Sequence, residues 1–386
     1  LKHTLNRPDN NSNKIIPMKT FSITIATLLA LIAGACSSGN TTADNGYAHA
    51  LERAATPEHI SAAADSLWEQ ASADSMEIHS LMIVTAGKVI YESWRNGADA
   101  NTKHILNSVS KTYTSIAAGL AIEEGKLSLD EKVVDIFPEY LPDTVSRNLA
   151  DMDVRDLLTM TCGHATDHTY EMQRLAKTDT TFNWVKQFLS YPVEYRPGTI
   201  YCYNSVGTFM LSAIIQKRTG ETLLDYLRSR LFTPLGIEDP CWETTKDGIC
   251  YGGWGLYLKT EDLAKTGQLL LQKGIWNGRQ LIPAEWVSQM SRMQAESAPA
   301  GINLVQLALK DSSIEIDPDW IQGYGYQMWM CRNNAFRADG ARGQYIIVLP
   351  DQNSVVAMTA NTVRMQEELD LVWKYILPAL NKQNNK

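Results

Sequence analysis

Apolar residues recur at helical spacing at Ile116, Ala117, Leu120 and Ala121, followed by Glu123, Glu124 and Gly125. This pattern predicts a buried helix that begins near Asn107, turns its acids to water and stops at the glycine. Upstream, Ile60, Ala63 and Leu67 share one side of an amphipathic helix over 57–75, with Thr56 as N-cap and Pro57 at the first helical position. Between the two helices, residues 78–94, IHSLMIVTAGKVIYESW, read as two apolar-rich strands around a turn at Ala86 to Lys88.

The middle of the chain has a different rhythm. Residues 126–142 form a loop and a short helical segment broken by prolines, and residues 152–164 form a short helix that stops at Gly163. Further helix and loop fill 165–196, and in 196–220 a Pro-Gly turn leads through a tyrosine-rich segment into another helix. A Gly-rich turn opens 251–274 ahead of an amphipathic helix N-capped at Thr260 with acids in its first turn, and 295–319 has the character of a surface excursion. Strands then return as GYGYQMWM, AFRADG, QYIIVLP and SVVAMTAN between Gly323 and Asn361, and MQEELDLVWKYILPAL supplies a C-terminal amphipathic helix.

The expected fold class is α+β. An antiparallel sheet built from both ends of the chain (about 57–106 and 323–386) is flanked by N- and C-terminal helices, and a mostly helical lobe (about 107–322) is inserted between them.

Composition adds that 386 residues, 44% of them hydrophobic, suffice for a large buried core. A net charge of -8 offers no basic footprint for nucleic acid. Lys19 precedes an apolar run, FSITIATLLALIAGA, that ends in small residues at Cys36 and is too short for a comfortable membrane span. Residues 1–36 are therefore expected to hold a bacterial lipoprotein-type signal, with Met18 as the start and Cys36 as the lipidated residue. Ala33 leaves ordinary signal-peptidase cleavage open. Residues 37–56 would then be a tether between a lipid anchor and a soluble body in the periplasm or cell envelope.

Five cysteines remain beyond Cys36, an odd number that argues against a full disulfide framework, although Cys241 and Cys250 could pair. The sequence has no Cys-x-x-Cys or His-Glu-x-x-His spacing, so neither a metal nor another cofactor is expected. The segment HATDH, His164 to His168, carries metal-like residue types but reads as a hydrogen-bonded loop.

Candidate chemistry starts at Ser108, Val109, Ser110 and Lys111, the one Ser-x-x-Lys in the chain. Residues three apart on a helix share a face, so the Ser108 hydroxyl and the Lys111 amine can meet as nucleophile and base. Ser108 also falls in the first turn, where free backbone N–H groups favour an oxyanion. Four residues alone favour a serine N-cap followed by a solvated lysine, so the case for chemistry rests on the rest of the chain.

Taken together, the motifs resemble the serine β-lactamase and penicillin-binding protein superfamily. The similarity is to its class C-like branch, which also holds esterases, D-amino-acid peptidases and 6-aminohexanoate-oligomer hydrolases, and it runs in order over roughly residues 75–380. NSVSKTYTS is similar to the nucleophile helix, VRDLLTMTCG to a helix ending in Ser-Gly, PGTIYCYNSVGTFMLSAII to the stretch with the catalytic tyrosine, and ADGARGQYIIVLP to the strand pair lining the site.

The resemblance implies Ser108 as nucleophile, Lys111 as its base and Tyr203 as proton relay, with Ser205 in the third position of the family's Tyr-x-Asn. A register using Tyr201 would instead put Tyr203 third. The Lys/His-Thr-Gly strand motif aligns with Ala338, Asp339 and Gly340, so no basic residue stands at its first position, and Arg337 or Arg342 are the substitutes at hand. The backbone N–H groups of Ser108 and Ala341 would form the oxyanion hole. Ser205, Asp339, Gly340, Trp254 and Tyr170 are the expected substrate contacts.

The expected function is hydrolysis of a small ester or short amide through an acyl-enzyme on Ser108. A penicillin-binding or peptide-sensing protein with little turnover is one alternative, and a non-catalytic envelope scaffold is another.

Overall fold

A computed structural model describes residues 50–297 and 318–384. The signal-type segment with Cys36, residues 37–49 of the tether, and most of the 295–319 excursion lie outside the described residues.

Alternation along the strands sends successive side chains to two faces, and helices cover both of them. The seven strands of the sheet are β1 (Glu52–Arg53), β2 (Ile78–Thr85), β3 (Lys88–Trp94), β4 (Trp329–Met330), β5 (Phe336–Gly340), β6 (Gln344–Leu349) and β7 (Ser354–Ala360). They lie in the order β1-β3-β2-β7-β6-β5-β4. Pairing is antiparallel except between β1 and β3.

Leu81, Ile83, Tyr345, Ile347, Val356 and Met358 pack on one side against α1 (Glu58–Ala73), through Ile60, Ala64 and Leu67, and against the C-terminal helices. Met82, Val84, Ile346, Val348, Val355 and Ala357 face the other way, into the core shared with α2 (Ser110–Glu123), α3 (Ser205–Thr219) and α4 (Thr260–Leu271). Cover on both faces explains why QYIIVL and SVVAMTA read as continuous apolar runs. The result is the three-layer α+β arrangement that the pattern predicts.

Several boundaries differ from the sequence reading. Leu51 is buried and β1 pairs with Lys88 and Val89, so the chain enters the fold before the expected end of the tether at residue 56. Pro57 is extended, with ψ 141°, which places it at the N-cap of α1 and leaves Thr56 outside. Lys259, equally extended, takes the N-cap of α4 in place of Thr260. The helix expected to reach Gly163 ends at Leu158, because Met160 turns left-handed (φ 61°) and the Thr161 N–H bonds back to the Asp156 carbonyl. Of GYGYQMWM, only Trp329–Met330 forms a strand.

A small sheet connects the layers near the start of α2. Lys103–Ile105 pairs with Leu256–Lys259, which pairs with Cys241–Trp242. Through it, the Gly-rich turn at Gly252 to Gly255 is held beside Ser108. None of the five cysteines among the described residues is in a disulfide. Cys241 and Cys250 do not pair: Cys241 lies opposite Tyr257 and Cys250 opposite Thr244.

Candidate active site

Ser108 lies in a single 3-10 turn, Asn107–Val109, that leads directly into α2. The turn opens with Asn107 at φ 48°, a left-handed conformation that asparagine tolerates well. Asn107 Nδ2 donates to the Ala341 carbonyl at 2.6 Å, which ties this turn to the β5–β6 hairpin. At Gly340 the two backbones nearly touch: a Cβ there would overlap the Leu106 carbonyl and stand 3.2 Å from the Val109 nitrogen. Glycine is required by that approach.

Lys111 is one helical turn inward and only 1% exposed. Its Nζ is 2.8 Å from Ser108 Oγ, 3.1 Å from Ser205 Oγ and 2.8 Å from the Gly253 carbonyl. Burial pushes the amine down to about 7, against the opposing pull of the Asp167 and Asp339 carboxylates. An amine with that value is substantially neutral at physiological pH and can accept a proton from a hydroxyl.

Asn204 caps α3 by accepting from the Gly207 N–H at 3.1 Å. This cap fixes the extended segment before the helix and sets the Tyr203 ring 4.8 Å from Lys111 Nζ. Tyr203 stacks on Trp329 at 5.6 Å and meets Tyr324 edge-on. Burial holds its phenol well above the ordinary range, with a hydrogen bond to Ser108 opposing. Tyr201 packs on Tyr324 and Trp329. Of the two registers, the one using Tyr203 puts a tyrosine against Ser108 and Lys111.

The other candidates divide. Ser205, at the start of α3, is buried with its hydroxyl on Lys111. Trp254 is half-buried and stacks on Tyr251 at 4.7 Å, next to Gly253. Tyr170 is 85% exposed on the Thr169–Thr178 helix, so its side chain stands in solvent instead of against a pocket wall. Asp339 is buried and accepts from Arg337 Nε at 2.9 Å.

Arg337 is not a free cation. Besides Asp339 it donates to the Asp319 carbonyl, and its guanidinium lies 4.4 Å from the Trp320 ring and 5.5 Å from that of Trp329. Alternation turns Ala338 into the core, and Arg342 is exposed at the hairpin turn with φ 69°. The strand position that carries a cation in the resembling family is apolar here.

Sequence reasoning did not find four contributors. The Gly253 carbonyl acts through the backbone, and the only hint of it was the glycine run. Asn107 works through a tertiary hydrogen bond, and Trp329 and Tyr324 reach Tyr203 from more than a hundred positions away. In the HATDH loop, His164 is buried with Nδ1 3.3 Å from Cys162 Sγ, and His168 stacks on Tyr191 at 3.8 Å. Among the described residues no group of three or more His, Cys, Asp or Glu side chains is gathered as a metal site.

Comparison with known proteins agrees with this architecture. The sequence matches the family described as Beta-lactamase over residues 63–381. It is 27% identical over 275 residues to penicillin-binding protein 4 of Amycolatopsis lactamdurans, covering 66% of this chain and 71% of that one. A Salmonella agona (strain SL483) relative, named provisionally as a D-alanyl-D-alanine carboxypeptidase, is 23% identical over 258 residues; the match covers 53% of this chain and 59% of that protein's length. The fold is similar to that of a Bacillus anthracis protein named provisionally as a 6-aminohexanoate-dimer hydrolase, with a TM-score of 0.64, 21% identity and 82% of each chain covered. The chain thus belongs to the Beta-lactamase family and is a serine hydrolase of the β-lactamase and penicillin-binding protein superfamily.

Proposed function

We propose that this protein hydrolyses a small ester or short amide through an acyl-enzyme on Ser108. The observation that carries the reading is the buried Lys111 amine, 2.8 Å from the Ser108 hydroxyl and lowered to about 7. Neutral Lys111 takes the Ser108 proton as Oγ attacks the substrate carbonyl. The backbone N–H groups of Ser108 and Ala341 hold the resulting oxyanion. Tyr203, whose ring lies 4.8 Å from Lys111 Nζ, hands a proton to the leaving group, and water then releases the acyl group.

Two observations support the substrate class. Ala338 is apolar at the strand position, and Arg337 is ion-paired to Asp339. Neither offers a cation to a substrate carboxylate, which disfavours β-lactams and peptides ending in a carboxylate. The names of the relatives support the alternative, a penicillin-binding protein with little turnover. The leader read in the sequence supports export and lipid anchoring at Cys36, which a shift to lower membrane partitioning in Cys36→Ala would test.

The functional reading is tested by steady-state hydrolysis of p-nitrophenyl butyrate, a short acyl amide and benzylpenicillin by the full chain, with Ser108→Ala as control. Turnover of the ester or amide that depends on Ser108, without a stable penicilloyl adduct, supports the proposal. A lasting penicilloyl adduct with negligible ester or amide turnover replaces it with the penicillin-binding alternative.

A further inference from the structure

We propose that Ser205 is a second proton outlet from Lys111, delivering a proton to the leaving group in parallel with Tyr203. The inference rests on the reading of Ser108 as nucleophile and concerns the one neighbour of Lys111 that departs from the family's pattern.

Among the described residues Lys111 Nζ has three hydrogen-bonding oxygens, and they are not equivalent. The Gly253 carbonyl, at 2.8 Å, can only accept, so it holds one N–H throughout. Ser108 Oγ at 2.8 Å and Ser205 Oγ at 3.1 Å are hydroxyls, each able to accept one hydrogen bond and donate another. The nitrogen is fixed between one passive acceptor and two groups that can pass protons. Once Ser108 has given up its proton, the new ammonium has an N–H for Gly253, another for Ser205 and a third for the Ser108 oxygen.

The asparagine that the resemblance places at position 205 would carry a carboxamide, which donates and accepts hydrogen bonds but does not relay protons near neutral pH. A serine hydroxyl does. The position is also rigid: Ser205 opens α3 directly after the Asn204 cap, and a Cβ on Gly253 would stand 2.7 Å from the Ser205 carbonyl. Ser205 is 8% exposed, and its hydroxyl lies 3.1 Å from the buried amine.

The step balances without any co-reactant. Ser108 Oγ–H breaks, its proton joins the Lys111 nitrogen lone pair, and Oγ bonds to the carbonyl carbon. As the tetrahedral intermediate collapses, the carbon–heteroatom bond breaks and the departing oxygen or nitrogen takes the Ser205 hydroxyl proton. Ser205 recovers a proton from Lys111 Nζ, which ends neutral.

The test is a series of butyryl esters of phenols and alcohols graded by leaving-group pKa, hydrolysed by the full-length wild type and by Ser205→Ala, Ser205→Asn and Ser205→Thr. Nitrophenolate departs without protonation, whereas an alkoxide does not. Ser205→Ala and Ser205→Asn, with Tyr203 still in place, are expected to lose about 3- to 10-fold more kcat/KM on the poorest leaving group than on the nitrophenyl ester, and Ser205→Thr should restore the shallow dependence.

An unchanged leaving-group dependence in Ser205→Asn would overturn the proposal and assign the side chain to substrate binding. An equal loss on every ester would also overturn it, assigning Ser205 to positioning Lys111. Phosphonylation of Ser108, read by intact mass in each protein, confirms that the variants keep a folded site. It also separates the two readings: an unlabelled, folded wild type defeats the Ser108 mechanism itself, whereas labelled variants with unchanged leaving-group dependence defeat only the role of Ser205.

Discussion

Lys111 Nζ meets Ser108 Oγ at 2.8 Å across one helical turn, in surroundings that leave the lysine 1% exposed. Proximity alone would leave the lysine protonated, since an exposed lysine keeps its proton to about pH 10.4. Burial makes it usable as a base. Hydrolysis of a neutral ester is expected to rise with pH through a limb near 7 as Lys111 loses its proton. A kcat/KM profile between pH 5 and 9 checks this, and a limb near 10 would contradict it. Lys111→Arg should lose at least about 100-fold, because a guanidinium cannot accept the proton.

Gly340 is the point where β5 lies against the nucleophile turn. Gly340→Val is predicted to force the strand off Leu106, at a cost of about 1–3 kcal/mol typical of overpacking. It should also reduce activity by displacing the neighbouring Ala341 N–H. Thermal unfolding and ester kinetics together check this. A variant with wild-type rate and stability would place the strand elsewhere.

Glu368 is buried behind the same hairpin, close to Gly343, and neither of its carboxyl oxygens has a hydrogen-bond partner among the described residues. Burial, with repulsion from Asp339 adding to it, raises its pKa well above the usual 4.5. The folded state then keeps a proton that the unfolded chain releases above about pH 4.3, so this group makes stability fall as pH rises toward the folded value. Glu368→Met should therefore stabilise the protein, by about 1–3 kcal/mol at pH 8 and by less at pH 5. Melting temperatures at the two pH values read the difference directly, and a larger gain at pH 5 would reverse the assignment.

The sequence carried the local features well. Ser108 and Lys111 are bound by helical spacing, and the strand runs between Phe336 and Ala360 are apolar because both faces of the sheet are covered. Long-range features were harder to read. Arg337 could face either way from its strand alone, and its destination depends on Asp319, Trp320 and Trp329, which reach it through tertiary packing. The end of the helix at Leu158 was misread because Gly163 looked like the stop, whereas Met160 makes the left-handed turn three residues earlier. The Gly253 carbonyl has no side chain by which a sequence could mark it.

The central claim is that Ser108 is an activated nucleophile. Its most direct test is intact-protein mass spectrometry of the full chain after exposure to a fluorophosphonate, with Ser108→Ala alongside. The account predicts a single phosphonyl adduct on the wild type, formed faster as pH rises through about 7 and absent from Ser108→Ala. A folded wild type that stays unlabelled, or an adduct that persists in Ser108→Ala, would contradict it.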